Sequence, residues 1–171
     1  TEQYMNLDIS ARNNLELTQS MHKGEKHATL LWVLDQTKTS MGQRLLRSYI
    51  EQPLMSVAGI IRRQSAVSEL FDNSIMRSEI REKLNNVYDL KRVLTRVVYG
   101  NISPRELNSL AYTAEQIPSI IDSLKCAKSE LLKDVLASID PLDDIKEMIT
   151  ATISENAPAV LKDGGYIKAG F

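Results

Sequence analysis

Apolar residues recur at helical spacing over most of this chain, and no other feature constrains it as tightly. Met41, Leu45, Leu46, Tyr49 and Ile50 make one stripe, and Leu90, Val93, Leu94, Val97 and Val98 a second. Leu107, Leu110, Ala111, Ala114, Ile117, Ile121 and Leu124 make a third, followed by Leu131, Leu132, Val135, Leu136 and Ile139, then Leu142, Ile145, Met148 and Ile149. Spacing of this kind places one face of each helix against its neighbours. It predicts an all-α, multi-helical array.

The punctuation between stripes agrees. "SPRE" (Ser103 to Glu106) combines an N-cap serine, Pro104 at the first helical position and a glutamate at the third, the spacing of a capping box. Gly100 stands where a left-handed C-cap belongs. Ser40 and Gln43 have capping-box spacing too, with Pro53 closing the helix that follows. Gly42 in its first turn costs helix stability, which predicts close approach of another backbone. Ser56 opens a further helix, "DNS" (Asp72 to Ser74) breaks it, and Asp140 with Pro141 is expected to cap the last one. Pro118 should kink or restart the helix in which it falls.

The ends read differently. Residues 1–27 show no sustained helical period, "TLLWVL" (Thr29 to Leu34) suits one or two helical turns, and "PAVLKDGGYI" has the grammar of a hairpin turning at Asp163, Gly164 and Gly165. The expected division is an extended lead-in over 1–27, a helical domain over 28–153 and an extended or hairpin segment over 154–171. The chain opens at Thr1 and closes on "GYIKAGF", so both ends read as cuts within a longer protein.

Charge and composition narrow the function classes. A net charge of −1 over 171 residues argues against an autonomous DNA-binding domain. Residues 1–111 carry 15 Lys+Arg against 12 Asp+Glu, and residues 112–171 carry 6 against 10, a mild asymmetry. The single Cys126 forms no internal disulfide, which fits a reducing compartment, and a half-buried inert thiol is the expectation for it. No secretory pattern opens the chain, and no apolar run is long enough to span a bilayer.

Catalytic chemistry is not visible. There is no phosphate loop and no dinucleotide-binding turn. His22 and His27 sit in a polar loop at a spacing that suits no zinc site, and one cysteine cannot complete one. Asp143–Asp144 and Glu79–Glu82 have the pattern of solvated helix faces. Trp32, flanked by leucines, reads as core. Arg92 and Arg96 beside Lys91 can touch phosphate, although a solvated face is the commoner meaning. The residues alone lead to a helical interaction or scaffold module, whose stripes serve either internal packing or partner helices.

Four segments in order carry a resemblance. "YMNLDISARNNLEL" (Tyr4 to Leu17), "TLLWVLDQTKTSMGQRLLRSYIEQPL" (Thr29 to Leu54), "YDLKRVLTRVVYGNISPREL" (Tyr88 to Leu107) and "LKDGGYIKAGF" (Leu161 to Phe171) together resemble the MutS family of DNA mismatch repair ATPases. Asp35, Thr37, Thr39, Gly42, Arg44 and Pro53 stand in register in the second, and Gly100, Ser103 and Pro104 in the third. Ala11, Asn13, Lys91 and the Asn101–Ser103 stretch depart from the family pattern. The resemblance implies the core or lever domain of a bacterial, cytoplasmic protein, without catalytic, metal or cofactor-binding residues of its own. It also implies a parent that binds mismatched double-stranded DNA, uses ATP with Mg, forms a homodimer and engages MutL. The helices that complete the lever would lie outside this chain, so open apolar stripes and self-association of the fragment are expected. The alternative is a helical module with weak, non-specific affinity for the DNA backbone through Arg92, Arg96 and Arg105.

Overall fold

The computed structural model describes residues 3–21, 24–158, 162 and 164–171, and among them the fold is all-α, with nine helices. These are α1 (Ile9–Asn14), α2 (Leu30–Leu34), α3 (Ser40–Glu51), α4 (Val57–Asp72), α5 (Ser74–Leu84), α6 (Leu90–Val98), α7 (Pro104–Leu124), α8 (Glu130–Ser138) and α9 (Asp143–Thr152). Pairing between extended segments among the described residues is limited to two isolated antiparallel bridges, Tyr4 with Leu54 and Ile153 with Ile167.

A helix leaves its first backbone N–H groups without partners, and side chains just ahead of it supply them. Asp8, Thr29, Thr39, Ser56, Asn73, Asp89 and Ser103 each accept from the N–H three residues on. At α7 the box is reciprocal: the Glu106 N–H donates to Ser103 Oγ at 3.3 Å and the Ser103 N–H to Glu106 Oε2 at 3.0 Å. α6 ends in a left-handed cap at Gly100, φ +66°, with the Gly100 N–H on the Val97 carbonyl and the Asn101 N–H on the Arg96 carbonyl, both at 3.0 Å.

Several expectations are corrected. The cap of α3 is Thr39, not Ser40, because Gln43 turns its amide to Asp35 and leaves no box to close. No foreign backbone crowds Gly42; an added Cβ would meet Thr39 Oγ1 at 3.1 Å and Thr37 Cβ at 3.6 Å. Pro118 does not restart α7, which runs through it as one helix of 21 residues. Asp140 does not cap α9; it accepts the Leu142 N–H at 2.9 Å, and Leu142 enters the helix left-handed at φ +58°. The lead-in contains α1, whose start Asp8 fixes although it has no apolar period. Trp32 is 48% exposed, with the His27 ring 4.5 Å away, because α2 turns only Leu31 inward. Cys126 is exposed, lying past the end of α7.

The expected hairpin falls partly outside the described residues, at 159–161 and 163, as does His22. Its two arms meet where the Ser154 N–H donates to the Tyr166 carbonyl at 2.9 Å and the Lys168 N–H to the Thr152 carbonyl at 2.8 Å.

Packing divides the chain into two neighbourhoods. Leu17, Leu31 and Ile50 form a small core with Leu7 and Leu46 against it, uniting the lead-in, α2 and α3. Burial of each such side chain stabilises by about 1.5–3 kcal/mol. In the second neighbourhood α7 is the spine, packed on α5, α6, α8 and α9, while α4 packs on α5 and α8. Thr113 and Ala114 are fully buried in α7; Thr113 Oγ1 takes the Tyr88 N–H at 3.1 Å and donates to the Ser109 carbonyl at 2.9 Å.

Candidate functional site

The segment richest in polar punctuation, Asp35 to Arg44, lies where these two neighbourhoods meet. Asp35 ends α2, and its side chain is 8% exposed. A carboxylate so placed needs donors, and it has them. Lys26 Nζ pairs with it, Thr37 Oγ1 donates at 2.6 Å, Gln43 Nε2 at 2.5 Å and the Thr37 N–H at 3.4 Å. The bond from Lys26, then those from Thr37 and Gln43, hold the Asp35 carboxyl well below the usual carboxylate range, against the opposing effect of burial. One side chain thereby fixes the end of α2, the intervening turn and the first turn of α3. Thr39 caps α3 through the Gly42 N–H at 3.0 Å, and Gly42 leaves room for the Thr37 and Thr39 side chains.

Three arginines carry the contact from this core to the later helices. Arg44 on α3 forks onto Asp89, with Nη1 to Oδ2 and Nη2 to Oδ1 both at 2.7 Å. The two parallel bonds set orientation as well as distance, which a lysine cannot do. Asp89 is also the N-cap of α6, so the same carboxylate binds α3 and starts α6. The Arg44 guanidinium is the main influence holding its carboxyl low. Arg63 on α4 lies over the Tyr49 ring of α3, 3.5 Å from its centre. Arg81 on α5 donates to the Gln36 carbonyl at 3.1 Å. The joint is polar and directional where the two neighbourhoods themselves are packed through apolar side chains. Pro53, between α3 and α4, accepts the Met5 N–H at 2.8 Å and draws the start of the chain against it.

The cationic candidates fare differently from one another. Arg92 is exposed and, with Lys91, Arg44, Asp89, Ser40 and Thr95, lines a groove of about 500 Å³. Arg96 is paired with Glu106. Arg105 is exposed at the second position of α7. Glu106 is held below its ordinary value first by the Ser103 N–H, then by the Ser103 hydroxyl and Arg96, against burial. These carboxylates are ionised at neutral pH, which suits ion pairing rather than proton transfer. Among the described residues no three His, Cys, Asp or Glu side chains gather where a metal could be held, and no helix is long and apolar enough to cross a membrane.

The sequence pattern placed Tyr49 only in an apolar stripe and did not single out Lys26, Arg63, Arg81 or Asp89. Only Asp89 carried a local signal, as an acidic residue directly before an apolar stripe; the others act through contacts that a linear pattern does not encode.

Comparison with known proteins places this geometry in context. The family described as MutS domain III matches residues 10–169. The DNA mismatch repair protein MutS of Lachnoclostridium phytofermentans is 46% identical over 171 residues, covering 100% of this chain and 18% of that protein. Its counterpart from Pelotomaculum thermopropionicum is 45% identical over 169 residues, covering 98% and 20%, and that from Desulforamulus reducens 42% identical over 168 residues, covering 98% and 19%. The chain spans about a fifth of the length of the curated relatives it matches.

Proposed function

The chain belongs to the MutS family, as its domain III, and from that premise we propose that it is the lever of a bacterial, cytoplasmic mismatch repair protein. In this reading it couples the binding of mismatched double-stranded DNA to a distant ATPase domain. The helical domain over 28–153 transmits, and the segments over 1–27 and 154–171 are its attachments to neighbouring domains. ATP and Mg are bound elsewhere in the parent, which acts as a homodimer and engages MutL. Leu94 and Val98 on α6, 63% and 76% exposed, offer apolar surface for the helices that complete the lever, or for a second copy of the isolated fragment.

The observation that carries the proposal is the arginine-made joint. Coupling requires an element with two arrangements that each ligand biases differently. A directional joint between two packed bodies can supply them, because its bonds are made or lost as a set. Arg44→Lys in the full-length protein keeps the charge and removes the fork. It is expected to leave mismatch affinity and basal ATP hydrolysis near wild type, while slowing ATP-driven release from a mismatch by about fivefold or more. Unchanged release in a folded variant would remove the joint from the mechanism.

One observation favours a second reading. Lys91 and Arg92 form no ion pair among the described residues and share their groove with two hydroxyl side chains and with the Arg44–Asp89 pair. Titration of the chain against homoduplex and G·T-mismatch DNA separates the two. The lever reading expects little affinity and no mismatch preference; backbone binding expects affinity that falls steeply with salt.

A further inference from the structure

The start of α8 is built unlike the starts of α1 to α7. Ser129 occupies its N-cap position, yet its side chain makes no capping bond. The N–H groups of Lys128 and Ser129 donate instead to the two carboxylate oxygens of Glu69, on α4, at 2.6 and 2.7 Å. That carboxylate also stands at the positive end of the α8 dipole. Burial there opposes its ionisation, but the Lys128 N–H and the contacts that follow hold its pKa below the ordinary value. Two turns earlier on α4, Arg62 pairs with Asp134 and lies 3.8 Å from Glu130, both on α8. No residue of α8 is fully buried, though Leu131, Leu132 and Leu136 are half-buried. The helices on either side of it, α7 and α9, pack directly on each other.

We infer that α8 is an electrostatic strap, fastened to α4 chiefly by Glu69 with the exposed Arg62 as a minor contact, that opens as a unit before the helices it connects. Apolar burial holds α7 on α9 whether or not α8 is in place. The strap has little such burial and depends on charge-assisted bonds from a helix remote in sequence, so its attachment weakens with salt while the spine does not. Glu69 is the positioning residue: it accepts the N–H of the N-cap and so sets where α8 begins. This inference stands independently of what the domain transmits.

Hydrogen exchange on the full-length protein, read by mass spectrometry on peptides covering 57–72, 104–124 and 130–138, tests it. In the wild type, the 130–138 amides are expected to exchange fastest of the three and to accelerate several-fold between about 0.05 and about 0.5 M salt. Glu69→Ala should accelerate them about tenfold, the loss of charge-assisted bonds to two backbone donors, and leave 104–124 unchanged. Should that variant fail to fold, Glu69→Gln, which keeps the shape and one acceptor oxygen, is expected to show a smaller acceleration confined to 130–138. The inference is overturned if 130–138 is as protected as 104–124, is insensitive to salt and to both substitutions, or accelerates together with 104–124 as one cooperative unit.

Discussion

At α7 the N-cap N–H of Ser103 is taken by Glu106, three residues on in the same helix, whereas at α8 the N-cap N–H of Ser129 is taken by Glu69, 60 residues back and on α4. The donor is equivalent, as is the chemical type of the acceptor. What differs is when the bond can form. The α7 box needs only its own turn, so it favours the helix before any tertiary contact exists. The α8 bond requires two helices to have met, so it favours their contact more than it favours helix formation. A local cap makes an element; a borrowed one fastens it.

That contrast can be broken in graded ways. The largest effect is expected from Glu106→Gln, which weakens the acceptor for the Ser103 N–H and removes the charge facing Arg96. It should cost about 1–3 kcal/mol of global stability at neutral pH, read as a shift in urea midpoint. Because the Glu106 carboxyl is held below its ordinary value in the folded state, its contribution is complete above that ordinary value and disappears as pH falls through the lowered one. Wild type and variant should therefore converge in acid. Glu69→Ala comes next, with its expected change confined to exchange of 130–138. Asp134→Asn should be smallest. Its partner Arg62 is 40% exposed and Asp134 itself 61%, so about 0.5 kcal/mol or less is expected from double-mutant cycles with Arg62. If Asp134→Asn cost as much as Glu106→Gln, the distinction between a helix made locally and one strapped on would fail.

The same contrast explains what was legible in the sequence. The box at Ser103, Pro104 and Glu106, the left-handed cap at Gly100 and the start at Ser56 are all formed by residues within a few positions of one another, and each stands where the pattern put it. Thr39 against Ser40 shows the limit of such patterns: both are hydroxyl residues one position apart, and the choice fell to Gln43, whose amide serves Asp35 rather than the cap. Asp140 was read as a cap because Asp before Pro commonly is one, yet it closes a turn on Leu142 instead. At the joint, Asp35 and Arg44 stood out as members of a motif, but Arg63, Arg81 and Lys26 did not. A surface arginine and a bridging arginine look identical until the partner helix is in place.

A consequence follows from the length of α7 and the bonds near its two ends. Close to its start, Asn108 donates to the Ser154 carbonyl at 2.8 Å, and close to its finish, the Ser119 carbonyl accepts from Lys83 at 2.7 Å. Its 21 residues span about 30 Å at 1.5 Å per residue. The Asn108 and Ser119 bonds lie 11 residues, about 16 Å, apart along it, so a tilt of about 5° about one would carry the other through about 1.4 Å, enough to stretch a good hydrogen bond beyond its working length. The helix thus converts a small angle, which packed side chains tolerate, into a distance that a hydrogen bond does not.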